Sequence, residues 1–356
     1  MTARSVVIAG AGIIGCMIAR ELAAADPDAM ITVLDRDLAG SGATRRSAGL
    51  SLVKGVTPLT RHWSAASHRY YLDLIASHPG LPTYPVRAKV LLEAGESPAG
   101  AGYLTATADP AGADASGRQY WKLDGCHCTD VYALTQALAA QARPRVRFLE
   151  SARITGLTPA RGAVTLRTSS GDLLVADQVV LAPGPWVNEP AWRDLVSPLG
   201  LRVKKIVAMH LERQPRQDDE LLIFDKEDAF LAPLAHRGHW LFSYTRLEWD
   251  VEPEVIATAP GLTSDDVDEA QACLRPHDPA LAAELRSGRV CCDAYSQTRE
   301  PVVAPLDPDG LIVFAGAAGG SGYRLAPAIA RQAVGLLRQA RYDLQTQGAA
   351  DDHQHI

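Results

Sequence analysis

Ser5-Val-Val-Ile-Ala-Gly-Ala-Gly-Ile-Ile-Gly15, followed by Ile31-Thr-Val-Leu-Asp35, is the stretch that decides the fold. Val6 to Ala9 are apolar and mostly β-branched, which suits a strand buried on both faces of a parallel sheet. Gly10, Gly12 and Gly15 then give G-x-G-x-x-G where the strand turns into a helix of about Ile13 to Ala25. The first glycine permits the tight turn, the second lets backbone approach a pyrophosphate, and the third lets helix pack on strand. The first helical N–H groups, including those of Ile13 and Ile14, face such a diphosphate. Asp35, twenty residues after Gly15, closes the second strand where an acid accepts hydrogen bonds from an adenosine ribose. Strand, glycines, helix, second strand and acid fall in order, so the stretch reads as a dinucleotide site. A βαβ unit with a glycine turn and no ligand would share the pattern. Whether the dinucleotide is FAD or NAD stays open on these residues.

Composition sets the outer bounds. At 356 residues the chain accommodates two domains with buried cores. A net charge of −6 with scattered Lys and Arg leaves no nucleic-acid footprint. No apolar run approaches the length of a membrane span. Met-Thr-Ala-Arg runs directly into strand, which leaves no room for a signal peptide and makes the cytoplasm the expected location. The six cysteines are few and irregularly spaced, so thiols are expected. Cys126-His127-Cys128 lacks a second ligand pair at zinc-site spacing, so no metal is expected.

Further along, Ala39 to Gly49 is rich in glycine and hydroxyls and reads as a backbone cradle beside a cofactor, with Arg45 or Arg46 near its phosphates. Thr60 to His78 reads as a helix, Val86 to Glu93 as a strand, and Ala94 to Gly117 as a surface excursion. Asp130 to Ala142 returns to helical period. Val146 to Leu149, Ala152 to Leu157, Val164 to Thr168 and Leu173 to Val175 read as strands, ahead of the buried strand in Ala176-Asp-Gln-Val-Val-Leu-Ala-Pro-Gly184. Between Trp186 and Tyr295 the alternation in 201–212, 229–234 and 239–245 suits an antiparallel sheet with one covered face. Asp265 to Leu274 and Pro279 to Leu285 read as helices, with Ser264 as N-cap. The last helix is expected over about Ala328 to Ala340, with a frayed tail beyond it.

Two late features bear on the cofactor. Tyr295-Ser-Gln-Thr-Arg-Glu-Pro-Val-Val303 leads to an apolar strand, Leu311 to Ala315. Gly316-Ala-Ala-Gly-Gly-Ser-Gly-Tyr-Arg-Leu-Ala-Pro327 then opens the last helix, a second glycine-rich loop suited to negative charge. Here the chain resembles the D-amino-acid oxidase family of FAD-dependent oxidoreductases, which includes glycine and sarcosine oxidases and D-amino-acid dehydrogenases. Gly10 to Gly15 with Asp35 match its FAD fingerprint, and Ser41 to Gly49 look like its Gly-x-Ser/Thr…Asn/Ser-Ala-Gly loop. Ala176 to Trp186 resemble its Ala-Asp-x-Val-Val-x-Ala-x-Gly-x-Trp strand. Gly320-Ser-Gly-Tyr-Arg-Leu-Ala-Pro327 is similar to its Gly-x-Gly-Leu/Phe-x-Leu-Ala-Pro signature.

The resemblance implies an α/β protein: a Rossmann-like FAD-binding domain (1–78, 122–188 and 295–345) with an inserted antiparallel-sheet, α+β substrate domain (79–121 and 189–294) and a tail, 346–356. It implies FAD against Gly10, Gly12, Ile13, Ile14, Gly15, Asp35 and Arg36, and against Thr44, Arg45, Arg46, Ser47, Ala48 and Gly49. Ile154, Ala182, Gly184 and Trp186, with Gly319, Gly320, Ser321, Gly322, Tyr323, Arg324 and Leu325, complete that set. The implied reaction oxidises the C–N bond of an amino acid or secondary amine by hydride transfer to flavin N5, giving an imine, with O₂, a quinone or a partner protein taking the electrons. Arg299 looks like the family's carboxylate-binding arginine, although Glu300 stands between it and Pro301. Arg324 is a second candidate clamp, and Tyr295 a pocket residue. Some relatives attach FAD through a cysteine, but Cys292 lies three residues before Tyr295, a register that does not fit, so non-covalent FAD is expected. His210, His236, His239, Tyr244 and Arg246 lie on expected substrate-domain strands. A hydroxy-acid-oxidising flavoenzyme, or an FAD-carrying electron-relay subunit of a hetero-oligomer, are the alternatives.

Overall fold

The computed structural model describes residues 3–160, 162–258 and 261–353, without the side chains of 341 and 343–353. The chain divides into two compact units, one of residues 1–45, 132–202 and 294–356 and one of residues 46–131 and 203–293.

The first unit is built on a six-stranded sheet ordered Val302–Pro305, Ile312–Gly316, Gln178–Leu181, Ser5–Ala9, Met30–Leu34, Val146–Leu149. Its pairings are parallel except at the Val302–Pro305 edge. Central position explains the composition: Val6, Ile8, Val179, Val180, Leu181, Ile312 and Phe314 are fully buried, as strands covered on both faces must be. The Ile13–Ala25 helix forms as expected and packs against the final helix. A three-stranded antiparallel meander, Ile154–Ala160, Ala163–Thr168 and Leu173–Ala176, precedes the Gln178–Leu181 strand. Ile154 opens it and is buried.

The second unit holds an eight-stranded sheet ordered 287–295, 202–211, 239–244, 229–234, 221–224, 88–92, 119–123, 112–113. The pairings from 202–211 through 112–113 are antiparallel as expected, apart from a parallel one between Leu221–Phe224 and Ala88–Leu92. A small sheet of 50–51, 127–129 and 83–85 accompanies it.

Several local expectations change. Residues 46–78 and 122–131, grouped above with the cofactor domain, lie in the second unit, held together by the Leu50–Ser51 pairing with His127–Thr129 and by Tyr71 on His127, while 189–202, grouped with the substrate domain, lie in the first. The helix there spans Pro58–Ser77, capped by Thr57, whose side chain accepts the Thr60 N–H at 3.2 Å. The excursion 94–117 is largely turn and exposed, yet it anchors Tyr103 at 2% exposure. Helix Ser264–Leu274 is capped by Thr263 rather than Ser264, in a capping box with Asp266. A further short helix, Pro253–Thr258, had no clear signal.

The last helix runs Gly322–His353, starting before Ala328 and continuing past Ala340. Pro327 fits inside it because proline's fixed φ is helical, at the loss of one N–H to the ladder. Past Ala340 no proline interrupts the described helix, so nothing forces it to stop there. Of the expected tail, 354–356 lie outside the described residues.

Candidate functional site

In the first unit, Gly10 adopts φ +111°, and a Cβ there would lie 2.2 Å from the Ala182 carbonyl oxygen. A Cβ on Gly15 would lie 1.8 Å from the Gly10 oxygen. These two glycines are therefore demanded by the turn and by strand–helix packing. Gly12 is different. Its φ of −68° suits any residue, and a Cβ would meet only Thr44 Oγ1, at 3.2 Å. The helix it opens has no capping side chain on Gly12 and no acid in its first turn, while the Ile13 N–H donates to Thr44 Oγ1 at 3.0 Å. The result is a helix N-terminus of open, positive character.

Asp35 accepts the Ala11 N–H at 2.6 Å and the Asp37 N–H at 2.9 Å. Burial raises its pKa despite those two backbone hydrogen bonds. A carboxylate has about four acceptor positions, so capacity remains for sugar hydroxyls. Arg36 stacks on Trp186, 5.0 Å from the ring centroid, and pairs with Glu189 at 3.0 Å, which Arg153 also holds at 2.7 Å. Glu189 was not foreseen; it was invisible because its partners lie 36 and 153 residues away. The buried indole N–H of Trp186 has no hydrogen-bond partner among the described residues. Arg45 lies over the Tyr132 ring, at 5.7 Å.

The C-terminal loop completes this unit. Gly319–Ser321 form a single 3-10 turn before the final helix, and the Tyr295 hydroxyl accepts the Gly320 N–H at 3.3 Å. A Cβ on Gly320 would come no nearer than 4.0 Å to anything, and one on Gly322 would meet nothing. Neither packing nor a positive φ demands those two glycines. Gly184, next to Ala182, also borders open space but is accounted for by its φ of +59°. Arg324 donates to Ser321 Oγ at 2.6 Å, while Tyr323 and Leu325 are buried. Arg299 lies on an exposed turn with φ 60°, its N–H donating to Ser296. Its guanidinium forms no ion pair among the described residues, so Glu300 does not neutralise it.

The remaining loop residues fall in the second unit. Gly49 has φ +70° and its Cβ would lie 1.9 Å from the Thr129 oxygen. Ser47 Oγ accepts the Gly49 N–H at 3.1 Å, and the Ala48 carbonyl accepts from the Cys128 thiol. Arg46 donates to the Val290 carbonyl at 2.7 Å. Of the substrate-sheet candidates, Tyr244 donates to the Asp266 carbonyl and Arg246 joins the Asp266–Glu248–Glu269 ion-pair network, both structural ties. His236 stacks on Tyr84. His210 and His239 contact each other, with ring centroids 4.5 Å apart.

Among the described residues no cluster of His, Cys, Asp and Glu is arranged to hold a metal, and no helix is long and apolar enough to cross a membrane.

A family model described as FAD dependent oxidoreductase matches residues 5–336. The chain belongs to this family. Its cofactor is FAD, and the residues present fit one: a helix N-terminus with no acid in its first turn, an acid with acceptor capacity, and glycines bordering open space at Gly320 and Gly322. No curated protein matches the sequence significantly. Among solved structures, this FAD-dependent oxidoreductase is similar to L-α-glycerophosphate oxidase from Mycoplasma pneumoniae (TM-score 0.76, 17% identity, 95% of each chain covered). It is also similar to L-proline dehydrogenase from P. horikoshii (0.73, 18%, covering 95% of this chain and 94% of that one). A third is glycine oxidase from Bacillus cereus (0.74, 15%, covering 94% and 95%). At these identities the likeness is one of fold.

Proposed function

We propose that this flavoprotein oxidises the C–N bond of an amino acid or secondary amine to an imine, with the first unit holding FAD. The observation that carries the reading is the Gly319–Ser321 turn over the Tyr295 hydroxyl, at the start of a helix, in a chain of this family. Three solved structures of similar fold, a glycine oxidase, a proline dehydrogenase and an amadoriase acting on fructosyl amine, bear names of that chemistry.

FAD held by these residues would supply the two-electron acceptor for that oxidation, the substrate losing a hydride from carbon and a proton from nitrogen. The chain's own work is binding and orientation. Gly12 and the N–H groups behind it receive the diphosphate, and Asp35 receives ribose hydroxyls. The N-terminus of the final helix, with Gly320 and Gly322 leaving room, favours negative charge accumulating beside it. Arg299, open to solvent and without an acidic partner, supplies a guanidinium fork for a carboxylate, and Arg324, steadied by Ser321, a second cation. Burial raises both thiol pKa values at Cys291 and Cys292, the latter to about 12, so neither is poised as a thiolate for covalent attachment. The six free cysteines support a reducing, cytoplasmic setting.

The test is anaerobic mixing of the FAD-loaded protein with D- and L-amino acids, glycine, sarcosine, cyclic imino acids and 2-hydroxy acids. Bleaching of the flavin band by an amine supports the reading, and bleaching only by hydroxy acids overturns it. Reoxidation by air separates an oxidase from a dehydrogenase using a quinone or partner protein. A protein that stays colourless with FAD present refutes the cofactor site itself.

A further inference from the structure

The strand Ser287–Tyr295, at one edge of its eight-stranded sheet, has two unlike faces. Val290, Cys292 and Ala294 are buried, whereas Arg289, Cys291, Asp293 and Tyr295, alternating with them, are only partly covered. Side chains two apart on a strand point the same way, so these four share the more open face. Tyr295 ends the strand, and its hydroxyl holds the Gly320 N–H of the turn on which the functional reading rests. Asp293 lies one strand repeat before it, about 7 Å along the strand.

Asp293 is the charged group on that face without a partner. Among the described residues its carboxyl accepts no hydrogen bond and forms no ion pair. Its neighbours are engaged: Arg289 donates to the carbonyls of Arg46 and Ser47 at 3.0 and 3.2 Å, and Tyr295 accepts from Gly320. Lys204, on the adjacent strand 202–211, acts on Asp293 electrostatically without reaching ion-pair distance. Its ammonium lies over the Trp249 ring instead, 5.5 Å from the centroid. Burial raises the Asp293 pKa to about 7, and Lys204 pulls it partly back. Burial pushes up the thiols of Cys291 and Cys292 as well, so near neutrality they stay protonated and add no charge. A carboxyl that is desolvated, incompletely covered and unpartnered is completed by a proton or by a cation. A protonated amine brings both.

We propose that Asp293 receives an ammonium group and, for an amine substrate, takes the proton that must leave nitrogen before oxidation. The ammonium site stands on the strand's own features, whereas its part in oxidation rests on the amine reading above. An ammonium nitrogen has no lone pair with which to form a C=N bond. In the proposed step one N–H bond breaks heterolytically, the electron pair stays on nitrogen, and the proton passes to Asp293 Oδ. The neutral amine then loses a hydride from carbon to the FAD acceptor as its lone pair closes the C=N bond, leaving an iminium that sheds a proton to give the imine. An acid that ionises close to neutrality suits a proton acceptor.

Titration calorimetry of the FAD-loaded protein with tert-butylammonium tests the site apart from turnover, because that probe has no hydrogen on the carbon next to nitrogen. Run at pH 6 and pH 8 in two buffers of different ionisation enthalpy, it is expected to show saturable binding that releases close to one proton at pH 6 and little at pH 8. Asp293→Asn is expected to weaken binding at least tenfold at pH 8 and to abolish the release, and Asp293→Glu to restore part of both. Stopped-flow reduction of the flavin by an amine tests the proton transfer. In the parent the rate constant is expected to rise through about pH 7. In Asp293→Asn it is expected to be at least tenfold lower at pH 8 and to rise only with ionisation of the free amine. Relief of the buried charge leaves Asp293→Asn folded at pH 8, so a loss there is not a loss of fold. No binding of the probe, proton release unchanged in Asp293→Asn, or matching pH profiles in parent and variant overturns the proposal. An amine panel that leaves the parent flavin oxidised overturns the amine reading, and the calorimetry then decides the ammonium site by itself.

Discussion

The phenol ring of Tyr295 occupies the space into which a side chain on Gly319 would project. A Cβ on Gly319 would lie 2.2 Å from Tyr295 Cε1, and Gly319 holds φ +51°. Gly319→Ala therefore forces ring or turn to move, and the turn opens the final helix. The expected outcome is FAD affinity lowered at least tenfold, read by titrating apoprotein with FAD. Tyr295→Phe keeps the ring and loses one acceptor for the Gly320 N–H, a cost of about 1 kcal/mol. Unchanged FAD binding in Gly319→Ala would show that the turn is not part of the cofactor site.

The three glycines of the N-terminal fingerprint separate into two kinds. Gly15→Ala drives a Cβ to 1.8 Å from the Gly10 oxygen, so the first strand and helix must part, and the protein is expected to melt lower by several kcal/mol. Gly12→Ala only nudges Thr44 and should leave the melting temperature of the apoprotein within a few degrees. Its effect is expected on FAD affinity, because the methyl occupies the space a diphosphate needs. Thermal melts of apoprotein and holoprotein side by side check both. A Gly12→Ala protein that binds FAD as tightly as the parent counts against the diphosphate assignment.

Arg299 carries a guanidinium with no acidic partner among the described residues, on a turn free of the core. Arg299→Ala is expected to raise KM for carboxylate-bearing amines at least tenfold while shifting FAD affinity less than twofold. Stopped-flow flavin reduction over a substrate series gives the first number and fluorescence titration the second. Equal losses in both would place Arg299 in the architecture of the turn instead of at the substrate.

What was legible in the sequence follows from how local each constraint is. Gly10 and Gly15 are fixed by a turn and a packing contact within one βαβ unit, so the fold of the first unit could be read from one short stretch. Gly319 and Gly320 were legible for the same reason. Long-range pairings were not. The boundary after Arg45 depends on Leu50–Ser51 pairing with His127–Thr129, and the placement of Arg46 depends on its bond to the Val290 carbonyl, 244 residues away. Thr263 displaced Ser264 as cap because Asp266 sits at the third helical position from it, a one-residue choice that composition does not decide.

Asp293 gives a pH-dependent stability. Burial raises its pKa from 3.8 to about 7, with Lys204 pulling partly back. An acid raised on folding is protonated in the native state at pH values where the unfolded chain has already ionised. It therefore contributes no penalty below about pH 4, a growing one between 4 and 7, and a constant one above 7. Asp293→Asn is expected to be more stable than the parent at pH 8, by roughly 1–4 kcal/mol, with the difference gone at pH 4. Urea unfolding at both values measures it, and a pH-independent difference would show that Asp293 does not titrate in this window.

Asp266 has the opposite sign. It is fully buried, caps its own helix through Thr263 at 2.9 Å, and pairs with Lys205 at 3.0 Å. Burial alone would raise its pKa, but the Thr263 bonds and the Lys205 charge outweigh it, so the pKa falls below 3.8. The stability it contributes is full above the unfolded value and lost as pH drops through the lowered native one. Asp266→Asn removes the charge and leaves Lys205, 7% exposed, with only the more solvent-exposed Glu248 at 3.3 Å. The expected loss is about 3 kcal/mol at pH 7, shrinking toward pH 3. Lys205→Met added to Asp266→Asn should recover part of it, because a buried cation without its counter-charge costs more than neither group. Chemical denaturation of the two single variants and the double variant reads the coupling directly. Additive losses would show that the pair is held apart energetically despite its 3.0 Å contact.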